Sequence, residues 1–164
     1  MGIMWQRLAS NLATIIKYYQ ALAELNEEKR KVLTFVDMQG LDKVVRHEEK
    51  IIADINKAEE LRQQIVRELA AADVKIQPDM KLVQMSYQCP DNALRERLLR
   101  LHAMLDELVK KVKQASENNE ILIVAALNAV NFRLNKLGGV TVENRYGSHG
   151  QEQVSHARNL DFEA

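Results

Sequence analysis

Apolar residues recur in steps of three and four over the first 36 positions, which is the spacing of a helix that buries one stripe in a coiled-coil-like seam. The stripe consists of Trp5, Leu8, Leu12, Ile15, Tyr19, Leu22, Leu33 and Val36. Asn26 and Lys29 interrupt it, with Leu25 and Val32 beside the gap. The pattern predicts a first long helix over about residues 3–36.

A second apolar stripe follows directly after a turn signal. Asp37 suits the N-cap of a helix and Gly40 weakens helix just after it, so we expect the chain to reverse near residues 36–40. The stripe runs through Leu41, Val44, Val45, Glu48, Ile51, Ile52, Ile55, Ala58, Leu61, Ile65 and Leu69. This predicts a helix over about 38–72, antiparallel to the first because the connection is short.

The periodicity fails between Asp73 and Asp91, where Pro78 and Pro90 bracket a segment with room for at most a short helix. That helix would pass through Met80, Leu82, Val83 and Met85. We interpret residues 73–90 as a segment that bridges the second and third long helices.

The strongest pattern in the chain begins at Pro90-Asp91. Its stripe comprises Leu94, Leu98, Leu101, Leu105, Leu108, Val112 and Ala115, and beyond Asn118-Asn119 it broadens through Ile121, Leu122, Ile123, Val124, Ala126, Leu127, Val130, Phe132, Leu134 and Leu137. A continuous helix over 91–137 would be about 70 Å long, which is too long for a compact domain of this size. Part of it is therefore expected to project or to be covered by another chain.

These patterns predict an all-α fold, in which an antiparallel hairpin of helices packs on a long third helix in a bundle over residues 1–137. The broad apolar face after Asn119 exceeds what a seam with two partner helices needs, and such exposed faces usually mark binding sites. Two alternatives stay open here. The face could pack on the start of the first helix around Trp5, Leu8 and Leu12, or on a second copy of the chain.

Residues 138–164 form a different kind of segment. The helical pattern stops at Leu137-Gly138-Gly139, because adjacent glycines adopt the helix-ending conformation freely. Tyr146-Gly147 with Gly150 then predicts a turn that exposes the amphipathic ring of Tyr146. Since few large apolar residues follow, we expect a flexible partner-binding tail, with a frayed terminus that has no role as the alternative.

Composition and charge exclude several classes of function. The chain has 28% charged and only 5% aromatic residues, which suits long helices, and its formal net charge is zero. Nucleic acid is therefore not an expected partner. The chain shows no secretory leader pattern and no run of about 18 apolar residues, so we expect no membrane insertion and a cytoplasmic location. Its single cysteine, Cys89, excludes an internal disulfide.

No set of side chains typical of catalysis or of metal binding is apparent in the sequence. A di-iron helical site needs Glu three positions before His, and none of the histidines fits: His47, His102, His149 and His156. The carboxylate pairs adjoin basic residues and favour solvated helix faces: Glu27-Glu28, Glu48-Glu49 and Glu59-Glu60. We therefore expect no enzyme activity, no metal and no cofactor.

Four short motifs along the chain carry a likeness to a known family. The three helices contain Glu28-Lys29-Arg30 before Val36-Asp37, Glu48-Glu49-Lys50-Ile51-Ile52, and Glu117-Asn118-Asn119-Glu120-Ile121-Leu122. The most specific motif lies in the tail: Tyr146-Gly147-Ser148-His149-Gly150-Gln151 followed by Val154-Ser155-His156. In these motifs and in their order, over most of its length, the chain resembles the FlgN family of flagellar export chaperones.

The resemblance implies a cytoplasmic chaperone of flagellar type III secretion. Such a chaperone binds the hook-filament junction proteins FlgK and FlgL, prevents their premature assembly and degradation, and delivers them to the export gate protein FlhA. The resemblance assigns substrate binding to the late third helix and the adjoining tail, at Leu122, Ile123, Ala126, Leu127, Val130, Leu134, Leu137, Val140 and Val142. It assigns contact with the cytoplasmic domain of FlhA to Tyr146, Gly147 and Gly150. The competing hypothesis is a structural or adaptor coiled-coil protein that self-associates, as a homodimer, through its third helix.

Overall fold

A computed structural model describes residues 1–138 of the chain, and all the regular secondary structure in that range is helical. The helices are α1 (Gly2–Thr34), α2 (Met38–Ala72), α3 (Leu82–Ser86) and α4 (Asn92–Gly138). The all-α fold class and the three long helices are thereby confirmed, with bounds close to the predicted ones. The short helix expected in the bridging segment is α3.

The turn between α1 and α2 is built around a strained residue. The N–H of Asp37 donates to Val32 O at 2.8 Å and that of Val36 to Leu33 O at 3.1 Å, a Schellman arrangement that satisfies carbonyls at the end of α1. Val36 has φ of 54°, a left-handed conformation that costs a β-branched residue about 1–2 kcal/mol. Asp37 then caps α2 by accepting the N–H of Gly40 at 2.9 Å, as predicted.

Gly40 lies inside α2, as the predicted bounds of that helix require. A Cβ at this position would lie 2.9 Å from Val32 Cγ1 and would also meet the carboxylate of Asp37. Glycine therefore allows α1 and α2 to approach closely where the hairpin closes. The connection is confined to residues 35–37, which makes α1 and α2 antiparallel neighbours.

The two other long helices both pack on α1, whereas the backbones of α2 and α4 do not approach each other closely. α4 runs parallel to α1, because the two helices begin in the same core cluster and meet again at Asn26 and Asn119. The antiparallel α2 pairs with α1 at both ends, through Arg7 with Glu68 and Lys29 with Glu48. α1 is thus the central helix of the bundle.

The larger core cluster lies where α1 and α4 begin and α2 ends. Its buried residues from the long helices include Trp5, Leu8 and Leu12 of α1, Ile65 and Leu69 of α2, and Leu94 and Leu98 of α4. The bridging segment contributes Ile76, Met85 and Cys89 to the same cluster. The start of α1 therefore covers the start of α4 and not its late apolar face, which removes one of the two alternatives raised from the sequence.

A polar pair accounts for the presence of Lys29 in the apolar stripe of α1 and of Glu48 in that of α2. Lys29 Nζ lies 2.6 Å from Glu48 Oε2, and the two side chains are only 13% and 17% exposed. A partly buried charge is costly unless it is paired, so a shift of α2 along α1 would leave both groups unsatisfied. The pair therefore helps to fix the register of the hairpin.

Leu98 of α4 is completely buried in the cluster at the start of the bundle. Its truncation therefore tests how much this packing contributes to stability. Leu98→Ala should lower the free energy of unfolding by about 2–5 kcal/mol, as for other large aliphatic side chains truncated in a core. Leu137→Ala is the matched control on the same helix, because Leu137 is 87% exposed. Chemical denaturation followed by circular dichroism measures both; equal effects of the two changes would contradict this packing.

Candidate functional site

The candidate site is the C-terminal part of α4, where this helix continues beyond the end of α1. α1 and α4 are parallel, and Asn26 lies level with Asn119, so each residue of α1 lies level with the residue of α4 whose number is 93 higher. That register brings Ala126 level with Leu33, one residue before α1 ends at Thr34. The last three turns of α4, residues 128–138, are about 16 Å long and extend past the end of α1.

A buried polar contact joins α1 and α4 just before this point. Asn119 Nδ2 donates to Asn26 O at 2.9 Å and lies 3.2 Å from Asn26 Oδ1, and both side chains are buried. Asn26 Nδ2 in turn donates to Leu22 O at 3.1 Å. A shifted pairing would leave these amides without partners in an apolar seam, so the contact specifies register. The residue that interrupts the stripe of α1 thus determines where α4 leaves it.

Exposure of apolar side chains rises sharply beyond this contact. The exposed large apolar residues there are Ile121 (70%), Val124 (53%), Phe132 (62%), Leu134 (49%) and Leu137 (87%). Apolar surface exposed to this extent on one segment is typical of interaction sites on soluble proteins. The projecting end of α4 therefore has the surface properties of a docking site.

The face of α4 that packs on α1 continues past the end of α1 without rotating away. About 18 residues make five full turns of an α-helix, so Val130 repeats the position of Val112 and Leu137 repeats that of Asn119. Val112 is buried in a small cluster with Leu22 and Ile55, and Asn119 is hydrogen-bonded to α1. Leu137 is exposed on the same face because α1 has ended. An interhelical seam is thus left open over the last turns of α4.

The residues assigned to substrate binding by resemblance fall into three groups in the described part of the chain. Leu134 and Leu137 are exposed, and Leu122, Ile123, Leu127 and Val130 are half-buried. Ala126 is 4% exposed and lies level with the buried Leu33. The remaining assigned positions lie outside the described residues: Val140, Val142, Tyr146, Gly147 and Gly150.

The outer face of α4 carries apolar residues that the sequence reasoning did not select for the site. Ile121, Val124 and Phe132 point away from α1 and are more than half exposed. Lys136 Nζ lies 5.1 Å from the centre of the Phe132 ring, within the range of a cation–π contact. The signal was present in the sequence, because apolar residues on all sides of a helix indicate a helix that is buried by partners.

The described residues offer little that suggests catalysis. Across residues 1–138 no three His, Cys, Asp or Glu side chains converge into a possible metal site. Burial is the main effect that raises the pKa of the Cys89 thiol, and a raised pKa disfavours the reactive thiolate. A groove of about 590 Å³ between α1 and α2 is lined in part by Gln6, Ser10, Thr14, Asp54 and Lys57. Over the same range, no helix has the length and apolar character that crossing a bilayer would require.

The chain is a helical bundle whose longest helix carries an open apolar seam. This architecture is typical of the class of proteins that bind other proteins. Comparison with family models shows which family the chain belongs to. The model described as FlgN protein matches residues 1–153, nearly the whole chain, so the chain belongs to the FlgN family, the flagellar export chaperones. The resemblance seen in the sequence motifs is thereby confirmed. Comparison with curated proteins and with solved structures found no match.

The asparagine contact at the base of the site can be tested with a double-mutant cycle. Asn119→Leu should lower the free energy of unfolding by about 1–3 kcal/mol, because it leaves Asn26 Oδ1 buried without a donor. Adding Asn26→Leu should recover most of that loss, since the two apolar side chains would pack on each other. Urea denaturation of the single and double variants gives the coupling energy. Strictly additive losses would mean that the two amides do not act together.

Proposed function

We propose that this chain is a cytoplasmic chaperone, without enzyme activity, that binds the hook-filament junction proteins FlgK and FlgL and delivers them to FlhA. Membership of the FlgN family supports a chaperone role in flagellar export; the particular partners are part of the proposal. The observation that supports the binding site is Leu137, which stands at the seam position of Asn119 on α4 and is nevertheless 87% exposed.

A helix of the client protein is the occupant that best suits this seam. Up to Ala126 the seam is covered by α1, and a client helix lying on residues 127–138 would continue the line of α1 beyond Thr34. Burying Leu134 and Leu137 under it would contribute about 1.5–3 kcal/mol for each side chain that becomes fully buried. Exposed amphipathic helices tend to associate with one another. Covering such a helix would keep the client protein from assembling before export.

Delivery to the gate is assigned to the segment after α4. Tyr146, Gly147 and Gly150 lie outside the described residues, so this assignment rests on the tail motif of the sequence. A tyrosine ring buries a large area and hydrogen-bonds through its hydroxyl, which makes it a common anchor in protein interfaces. In this proposal the client lies on α4 and the gate contacts the chain just beyond Gly138, so one chaperone can hold both partners.

The client site can be tested with charge placed on the open seam. Leu127→Asp together with Leu134→Asp should abolish binding of FlgK and FlgL, because unpaired carboxylates would be desolvated in the complex. The helical content should barely change, since Leu134 is 49% exposed and Leu127 is half-buried. Isothermal titration calorimetry measures the affinity and circular dichroism checks the fold.

The matched control for that test carries two aspartates on α2. Ile52→Asp and Leu61→Asp introduce the same charge at side chains that are each 43% exposed but lie away from the end of α4. This control should bind the client with native affinity. Native affinity of the Leu127/Leu134 variant would place the client elsewhere. A loss of chaperone dimers on that substitution, with client binding intact, would favour the self-associating coiled coil.

The gate assignment predicts a separation of the two binding steps. Tyr146→Ala should leave client affinity largely unchanged and weaken binding of the client-loaded chaperone to the FlhA cytoplasmic domain, because it removes the anchoring ring. Gly147→Val should mimic it if the turn needs a positive φ. Tyr87→Ala, at a half-exposed tyrosine near α3, is the control. Calorimetry with unchanged gate affinity for both tail variants would leave the tail without this role.

A further inference from the structure

Charges are distributed very unevenly along α4. Residues 92–120 carry six Lys or Arg and five Asp or Glu side chains, and some of them pair within the helix, as Arg100 does with Glu96 and Lys110 with Asp106. Residues 121–138 carry two ionisable side chains, Arg133 and Lys136, and both are basic. Residues 92–120 of α4 are therefore nearly balanced in charge, whereas residues 121–138, which include the projecting turns, carry only cations.

Arg133 borders the open seam, and Lys136 lies beside Phe132 on the adjoining outer face. Arg133 stands three residues after Val130 and four before Leu137, so these side chains are neighbours on the helix surface. Lys136 lies one turn after Phe132 and contacts its ring. Both basic side chains are exposed. A helix that lies on Val130 and Leu137 would therefore have a cation along its edge.

No carboxylate among residues 1–138 forms an ion pair with Arg133 or Lys136. Of the acidic groups near the end of α1, Asp37 caps α2 and Glu27 lies 3.9 Å from Arg30. Glu120 is the last acidic residue of α4 and precedes the projecting turns. Among the described residues, no carboxylate supplies opposite charge to this end of the helix.

We infer that the partner segment is an amphipathic helix whose apolar stripe is bordered by carboxylates, seated on Leu127, Val130, Leu134 and Leu137. Its Asp or Glu side chains pair with Arg133 and Lys136, which select this helix over one with basic or neutral borders. The inference rests on the proposed function, because it specifies the chemistry of the client helix that the same seam takes. Complementary charge at the rim of an apolar contact sets specificity and speeds association.

An anionic lipid surface is the other partner that cations beside apolar residues could suit, and the geometry favours the helix. Helices that lie on membranes carry a Lys- and Arg-rich polar face, and lipid-binding segments typically contain about 4–8 basic residues. The polar residues that accompany Arg133 and Lys136 on the projecting turns are Asn128, Asn131 and Asn135, which are uncharged. The open seam also continues a helix-helix interface that α1 already occupies.

Two synthetic peptides test the inference with the full-length chain. They share one helical design with a leucine stripe and differ only at its borders, where one carries Glu and the other Lys. Fluorescence anisotropy at low salt should show about tenfold tighter binding of the Glu peptide. The difference should shrink as salt is added, because exposed charges are screened. Arg133→Glu with Lys136→Glu should reverse the preference.

The matched control is Arg97→Glu with Arg100→Glu, which makes the same change of charge at the same spacing on exposed residues of the covered half. It should keep the wild-type preference for the Glu peptide. Equal affinity for both peptides would overturn the inference, as would binding of anionic phosphatidylserine vesicles without binding of either peptide.

The proposed function is tested separately by the Leu127→Asp and Leu134→Asp variant. If that variant loses both peptides although the wild type binds them equally, the client site stands and only its charge selectivity is wrong. If it binds the Glu peptide as the wild type does, the seam is not the site, and the inference fails together with the client site on which it depends.

Discussion

α1 has to cover two helices at once, since α2 and α4 each pack on it and do not approach each other closely. Its 33 residues match the 35 of α2, because the two helices form a hairpin closed by a three-residue turn, but they fall short of the 47 of α4. α2 does not cover the remaining turns of α4 either, because it begins at the level where α1 ends. The open end of α4 is therefore a direct consequence of helix lengths, and the site exists because the central helix stops first.

Two polar contacts within otherwise apolar seams determine how the helices are aligned. Lys29 with Glu48 fixes α2 on α1, and Asn26 with Asn119 fixes α4 on α1. Contacts of this type add little net stability compared with well-packed apolar residues, but a misaligned pairing leaves them unsatisfied. Their effect is to decide which residues of α4 are left exposed. A seam made only of leucines could slide, and the open surface would then differ from molecule to molecule.

The larger core cluster and the candidate binding site lie at opposite ends of the bundle. Trp5, Leu98 and the buried residues of the bridging segment form the larger cluster where α1 and α4 begin, whereas five exposed large apolar residues lie on α4 beyond Asn119. Substitutions on the projecting turns can therefore change binding without unfolding the core. Exposed apolar surface is normally a liability for a soluble protein. In an export chaperone it is the surface through which a client would be held.

The sequence by itself determined the helices, because periodicity, capping and chain reversal are local properties: Asp37 caps α2 and Pro90 precedes the start of α4, as predicted. Its motifs also identified the family. The tertiary structure alone revealed the partners of the residues that interrupt the stripes, since Asn26 meets a residue 93 positions away. It also revealed the strained turn at Val36. A stripe shows which side of a helix is buried, but how far along it the neighbouring helix reaches depends on register and length, which only the packed helices fix.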